Sequence, residues 1–233
     1  MNTLQWWSQA DVVTQTTAAF LLLMSVASWV VLLFKLRLLW RARRDVARCT
    51  AAFWQAPDLE VARQRLQAWD REGVVLPLVV AAHGVAHASN TPTLAHAVNR
   101  SQHITRVLRD ALHQVLGQLQ SGQVLLATVG STAPFVGLLG TVWGVFHALT
   151  ALSGGASISM EQISGPVGEA LVMTAAGLAV AIPAVLGYNI LGRTIARIEA
   201  DLEGFAFDLR ELLGSSASAP AGDRPSTDAG PPP

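Results

Sequence analysis

The sequence predicts an all-α integral membrane protein with three transmembrane helices. Of its 233 residues, 51% are hydrophobic and 14% are charged, which is too apolar for an ordinary soluble domain. A helix needs about 20 mostly apolar residues to cross a bilayer. Three stretches of the chain satisfy this length: residues 13–34, 124–149 and 166–191.

The positions of lysine and arginine orient these three spans. All 16 basic residues lie within 35–109 or 193–224, and basic residues concentrate on the cytoplasmic side of membrane proteins. The sequence therefore predicts an outer N-terminal tail, 1–12, and an outer loop, 150–165. On the cytoplasmic side we expect a helical segment at 35–123, a C-terminal helix at 192–214 and a disordered, Pro-rich tail at 215–233.

The predicted cytoplasmic segment carries helix signals. Asp58 is placed to cap a helix that ends near Glu72, with Gly73 as its stop. The pair Thr91-Pro92 is typical of a helix start. After that pair, residues at alternating gaps of four and three form a heptad seam that runs towards the second span: Leu94, Val98, Ser101, Thr105, Leu108, Leu112, Val115 and Leu119. We therefore predict one long helix that continues from the cytoplasm into the membrane.

The second and third spans each carry a narrow stripe of small residues, which lets helix backbones approach closely. In the second span the stripe is Gly130, Pro134, Gly137, Thr141 and Gly144; in the third it is Ala170, Thr174, Gly177, Ala181 and Ala184. One interpretation is packing alone. The other is that the threonine hydroxyls face a polar path.

The depth of the two threonines favours the polar path. Thr141 lies about two helical turns before the outer end of the second span. Thr174 lies about two turns after the outer start of the third span. Both therefore lie ~12 Å below the outer surface. Two hydroxyls at one depth are well placed to flank a single polar partner.

Glu169 lies inside the third apolar stretch, where a charge is unfavourable by about 2.5–3.5 kcal/mol at the bilayer centre. A structural interpretation makes it an interfacial carboxylate, or a first-turn acid favoured by the helix dipole. A functional interpretation makes it a pore-facing or proton-relay group. Because no lysine or arginine lies in any of the three spans, its partner would be water, a hydroxyl or another polypeptide.

Other reactive side chains give weaker signals. Cys49 follows several arginines and is either a reactive thiol or, as we favour, a small packing residue. His83 and His87 are four residues apart but have no third ligand nearby, which makes a poor zinc site. No nucleophile elbow or phosphate-binding glycine motif is present in the sequence. We therefore predict no metal, no cofactor and no enzymatic activity, and the zero net charge gives no indication of nucleic-acid binding.

Two motifs resemble the last two spans of the ExbB/TolQ family, with the flagellar stator subunit MotA as more distant kin. They are GSTAPFVGLLGTVWGVFHAL at 130–149 and GPVGEALVMTAAGLAVAIPAVLGYN at 165–189. The match is specific over about sixty residues, whereas the cytoplasmic segment and the tail match in layout alone. The APFVGLLGT and VWG sequences are closer to the ExbB branch than to the TolQ branch.

The resemblance implies a helical, multi-pass inner-membrane subunit with a periplasmic N-terminus and a cytoplasmic C-terminus. Five copies would form a ring in the lipid bilayer around an ExbD-like one-span subunit, whose membrane aspartate carries protons. Proton flow would power a TonB-like protein that opens outer-membrane transporters for iron-siderophores and vitamin B12. The TolQ branch, which serves the Tol-Pal envelope system, is the alternative.

By the same resemblance, the pore positions of the family correspond to Thr141, Glu169 and Thr174. Two hypotheses outside the family remain open on the sequence. One is a passive scaffold whose small stripes only pack helices. The other is a solute transporter, which the lack of an internal repeat disfavours.

Overall fold

A computed structural model describes residues 11–87, 94–152 and 160–215. Within these ranges the regular structure is entirely α-helical: α1 (Val12–Trp54), α2 (Leu59–Trp69), α3 (Leu76–His87), α4 (Leu94–Gln120), α5 (Gln123–Leu152) and α6 (Met160–Ser215). Helices α1, α5 and α6 are long and apolar enough to cross a membrane. The predicted fold class, all-α with three membrane-spanning helices, is confirmed.

Several predictions fall on other parts of the chain. The tail before residue 11, the Thr91-Pro92 helix start, residues 153–159 of the outer loop and the tail after residue 215 lie outside the described residues. The described chain divides into two compact units. The membrane unit comprises Met1–Arg41 with Gln118–Arg197, and the second unit comprises Ala42–Gly117 with Ile198–Pro233.

The prediction of one long helix from the cytoplasmic segment into the second span is wrong. Helix α4 ends at Gln120 and α5 begins at Gln123. Between them Gly122 has a φ of +83°, in the left-handed region that favours glycine. A Cβ at Gly122 would also lie 2.9 Å from Val31 Cγ1. The heptad pattern continues across this point because it records only which side chains are apolar, whereas the backbone turns here.

Aromatic and aliphatic side chains fill the core of the second unit. Phe205 on α6 is almost fully buried and meets the ring of Phe53 on α1 edge to face, with centroids 5.1 Å apart. Such pairs add to the apolar area that they bury. Around them lie further buried side chains of α6: Ile198, Leu202, Leu209 and Leu213.

From Ser101 onwards, where the structure describes the side chains, the heptad seam of α4 is buried at its apolar positions and not at its polar ones. Leu108, Leu112 and Val115 are buried, whereas Ser101 is exposed and Thr105 is half-buried. The buried neighbour of Thr105 is Ile104, a residue outside the seam. Ile104 is buried in place of Thr105 because of the hydrophobic effect. Burial of a branched aliphatic side chain is favourable in free energy, whereas burial of a hydroxyl is not.

Two aspartates organise the short helices of the second unit. Asp58 caps α2 as predicted, because its carboxylate accepts from the backbone N–H of Val61 at 2.7 Å. Helix α2 ends at Trp69, earlier than predicted, with Asp70 as its C-cap. The buried Asp70 carboxylate then accepts from three backbone N–H groups at the start of α3: Val74 at 3.0 Å, Val75 at 2.8 Å and Leu76 at 2.7 Å.

Cys49 is a packing residue of the same unit. Its side chain is 0% exposed and forms no disulfide. Nearby arginines of α1, Arg44 and Arg48 among them, are exposed, so they lie on a different face of the helix from Cys49. The structure therefore supports the packing interpretation over the reactive thiol.

Asp70→Ala should destabilise the second unit by about 2–3 kcal/mol, because three buried N–H groups would lose a charged acceptor. Chemical denaturation of the full chain in detergent, followed by the signal from helix content, measures the change. The exposed Asp208 provides the control, since Asp208→Ala should leave the transition in place. An unchanged transition for Asp70→Ala would contradict this account.

Cys49 should resist maleimide labelling in the folded protein and react fully after denaturation, because a fully buried thiol is out of reach of the reagent. Mass spectrometry of the labelled chain measures the fraction modified. In a Cys49→Ser background, Ala51→Cys places a thiol on an exposed position of the same helix and should label in the native state. Fast native labelling of Cys49 would show that this part of α1 opens.

Candidate functional site

Helices α5 and α6 meet through their backbones at two glycines. A Cβ on Gly137 would lie 2.7 Å from the carbonyl oxygen of Met173 and 3.1 Å from Cα of Gly177. A Cβ on Gly177 would lie 2.6 Å from the carbonyl oxygen of Ala133. Real Cβ atoms do not approach other atoms this closely, so glycine is required on both helices for this separation.

The remaining small residues extend this contact along both helices. Towards the loop between α5 and α6, a Cβ on Gly144 would lie 2.9 Å from Cβ of Ala170. At the other end, one on Gly130 would lie 2.6 Å from Cγ2 of Val185. Other stripe positions are buried or half-buried: Ala170, Ala181 and Ala184 are buried, and Pro134 is half-buried inside α5.

One side chain in this contact was not anticipated from the sequence. Met173 on α6 is 3% exposed, and its side chain fits against Gly140, where a Cβ would meet it at 3.0 Å. Because Met173 is large, it falls outside a search for small residues. The sequence does contain a signal for such an insertion. Gly140 follows Gly137 by one turn of α5 and leaves space for a side chain from the other helix.

The two threonines of the stripes come together. Thr174 Oγ1 donates a hydrogen bond to Thr141 Oγ1 at 3.3 Å, and Thr141 Oγ1 donates to the carbonyl oxygen of Leu138 at 2.7 Å. Thr141 is 8% exposed, whereas Thr174 is half-buried. The hydroxyl of Thr174 therefore keeps acceptor capacity for a further group.

Glu169 occupies a different position from the hydroxyl pair. Its side chain is exposed on the surface of this chain, although the next residue, Ala170, is buried against Gly144. No hydrogen bond joins Glu169 to Thr141 or Thr174 in the described structure. Helix α6 already begins at Met160, so Glu169 is well inside the helix and the first-turn interpretation is wrong.

The described residues give no metal-binding arrangement, since no three of their His, Cys, Asp or Glu side chains converge. His83 lies with its Nε2 3.1 Å from a carboxylate oxygen of Glu60, on the surface of the second unit. Within the spans, the paired hydroxyls of Thr141 and Thr174 and the carboxylate of Glu169 are the groups relevant to proton transfer. Such groups can hold and pass protons, because a hydroxyl both accepts and donates hydrogen bonds and a carboxylate takes up a proton that it can then donate.

An all-helical membrane protein with a carboxylate and paired hydroxyls in its spans has the composition of a proton-channel subunit. Residues 79–204 match the model of the MotA/TolQ/ExbB proton channel family. This chain belongs to that family. With its three apolar helices, it is a multi-pass inner-membrane protein.

Relatives of both branches cover most of the chain. The biopolymer transport protein ExbB of Xanthomonas campestris pv. campestris (strain B100) is 38% identical over 84% of this chain and 80% of its own length. ExbB of Neisseria meningitidis serogroup A is 33% identical over 91% of this chain and 97% of its own. The Tol-Pal system protein TolQ of Haemophilus influenzae is 30% identical over 93% and 96%.

Gly137→Ala should destabilise the membrane unit by about 1–3 kcal/mol, because its Cβ would overlap the carbonyl oxygen of Met173 and force α5 and α6 apart. Thermal unfolding in a mild detergent measures the loss. Gly204→Ala provides the matched control, since Gly204 is also helical and nothing lies within 4 Å of a Cβ there. That substitution should leave stability unchanged or raise it slightly. Equal behaviour of the two variants would contradict a required backbone contact.

Proposed function

We propose that this chain is the proton-channel subunit of an ExbB-type energy-transducing complex, which uses the proton motive force to drive TonB-dependent uptake across the outer membrane. Family membership and the better match to ExbB-named relatives support the proposal. The structural observation that supports the proposal most strongly is the hydrogen bond between the hydroxyls of Thr141 and Thr174. It lies within the family match, on the same helix pair that carries Glu169.

In this proposal several copies of the chain, five by resemblance to the family, surround a one-span ExbD-like subunit with a membrane aspartate. The N-terminus faces the periplasm and the C-terminus the cytoplasm, as the basic residues indicate. A single chain leaves Glu169 exposed. Assembly would turn that exposed surface into a wall around the partner, which accounts for a carboxylate without any basic partner in the spans.

The hydroxyls and the carboxylate would have different roles. Thr174 retains acceptor capacity while its hydroxyl donates to Thr141, so the pair can accept a hydrogen bond from a protonated carboxyl group. A neutral carboxyl held there is stable in a low-dielectric environment in which its ionised form is disfavoured. Glu169, about one and a half turns nearer the outer end, would receive protons from the outer side.

The TolQ branch remains the second candidate, because a TolQ protein matches nearly the whole chain. The two assignments differ in the partner. Purification of the complex from native membranes in mild detergent, with its mass measured by light scattering, tests both. Recovery with an aspartate-bearing one-span protein of the TonB system supports the ExbB assignment, and recovery with the Tol-Pal counterpart supports TolQ. An assembly without a one-span partner would contradict both.

Glu169→Ala should abolish partner-dependent proton flux into liposomes while the complex keeps its mass, because the carboxylate is exposed and takes no part in helix packing. Thr141→Val and Thr174→Val, which remove hydroxyls at constant volume, should each reduce the flux about tenfold or more. Quenching of a pH-sensitive dye inside the liposomes measures the flux.

Glu211→Ala is the matched control, since Glu211 is an exposed acid on the same helix outside the apolar span. It should conduct like the unmodified chain. Normal flux in Glu169→Ala would support the passive scaffold and refute the channel role of that residue.

A further inference from the structure

A buried lysine joins the cytoplasmic end of the first span to the turn before the second. Lys35 is 5% exposed. Its Nζ donates to the carbonyl oxygens of Gln118 at 2.9 Å and Leu119 at 3.3 Å, and to Ser121 Oγ at 2.8 Å. These bonds use all three ammonium donors. They also satisfy carbonyls in the last turn of α4, where a positive charge is favoured by the helix dipole.

One turn earlier on α1, the same helix face contacts the turn itself. Val31 packs against Gly122, at a distance that leaves no room for a Cβ. Lys35 and Val31 are four residues apart, so both side chains lie on one face of the helix. We call this contact of Lys35 and Val31 with residues 118–122 the inner clamp.

An aspartate makes the corresponding contact at the other end of the span. Asp11 Oδ2 accepts a hydrogen bond from the indole Nε1 of Trp143 on α5 at 2.6 Å. Its Oδ1 accepts from the backbone N–H of Val12 at 2.8 Å, at the first turn of α1. The bond from Trp143 is the main reason why the pKa of the Asp11 carboxyl lies below its usual value, which favours the ionised form. We call this bond the outer clamp.

The two clamps are separated by matching lengths of helix. From Asp11 to Lys35, α1 rises ~36 Å, and from Ser121 to Trp143, α5 and its turn rise ~33 Å. The buried hydroxyls of α1 between the clamps bond to their own helix: Thr17 to the carbonyl of Val13 and Ser28 to that of Ser25. The bonds of Asp11 and Lys35 thus lie at the two ends of the membrane-spanning part of α1.

We propose that Asp11 and Lys35 are positioning residues: Asp11 fastens α1 to Trp143 of α5, and Lys35 fastens α1 to the turn that leads into α5, so that the two helices move as one body. This inference rests on the proposed proton-channel function for its consequence. Trp143 lies two residues after Thr141 and next to Gly144, which contacts Ala170 beside Glu169. Release of Trp143 would therefore loosen the part of α5 that holds Thr141 against Thr174.

The test uses variants of one side chain at a time in the full complex. Lys35→Met keeps the volume of the side chain and loses its donors, and Lys35→Arg keeps charge and donors. Asp11→Ser preserves a helix cap but is too short to reach Trp143, and Trp143→Phe removes the indole donor while it keeps an aromatic ring. The matched controls are Arg37→Met, at an exposed basic residue beside Lys35, and Trp29→Phe, at an exposed tryptophan of α1.

Two measurements separate the clamp from the channel. Proton flux into liposomes should fall about tenfold in Lys35→Met, Asp11→Ser and Trp143→Phe, with unchanged mass of the complex, and should recover in Lys35→Arg. Both controls should conduct normally. In ¹⁵N-tryptophan-labelled protein, the Trp143 indole proton should resonate downfield, as expected for a bond to a carboxylate, and should move upfield in Asp11→Ser.

Normal flux in Lys35→Met or in Trp143→Phe would overturn the positioning role. An unmoved Trp143 resonance in Asp11→Ser would overturn the outer clamp itself. A failure of the unmodified complex to conduct protons would instead refute the proposed function, and the indole resonance would still decide whether the outer clamp exists.

Discussion

The close approach of α5 and α6 at Gly137 and Gly177 is the constraint on which the membrane unit depends. A single methyl group at either position would overlap a backbone carbonyl of the other helix. Because the backbones touch, the short hydroxyl side chains of Thr141 and Thr174 can reach each other. Lipid offers little hydrophobic force for helix association, so this packing contact has to come from the shapes of the helices themselves.

Charged side chains satisfy backbone groups at several helix ends of the described structure. Lys35 satisfies carbonyls at the end of α4, Asp11 caps the start of α1, and Asp70 satisfies N–H groups at the start of α3. Each sign matches the local helix dipole. Near or within a membrane, where water is scarce, such groups are favourable because they satisfy backbone donors and acceptors that would otherwise be unpaired.

Glu169 shows how the proposed function would depend on assembly. A carboxylate exposed on the wall of an apolar helix is unfavourable against lipid, yet it takes no part in the helix contacts of its own chain. A ring of copies around a polar partner would remove it from lipid and place it against that partner. The clamps at Asp11 and Lys35 would then hold α5 in place relative to α1. The surface that each copy presents to the partner would therefore stay the same while the partner gains and loses a proton.

The sequence alone determined the three spans, the small-residue stripes and the family, because each is a pattern among residues close together in the chain. Apolar length, helical spacing and short motifs can all be read from consecutive positions. It did not determine the break at Gly122, the insertion of Met173 against Gly140, or the bonds of Asp11 and Lys35. Those depend on which helices become neighbours. Asp11 and Trp143 are far apart in the chain, so no repeating pattern in the sequence links them. Only the tertiary structure brings them together, since close packing selects one partner among many side chains of the same type.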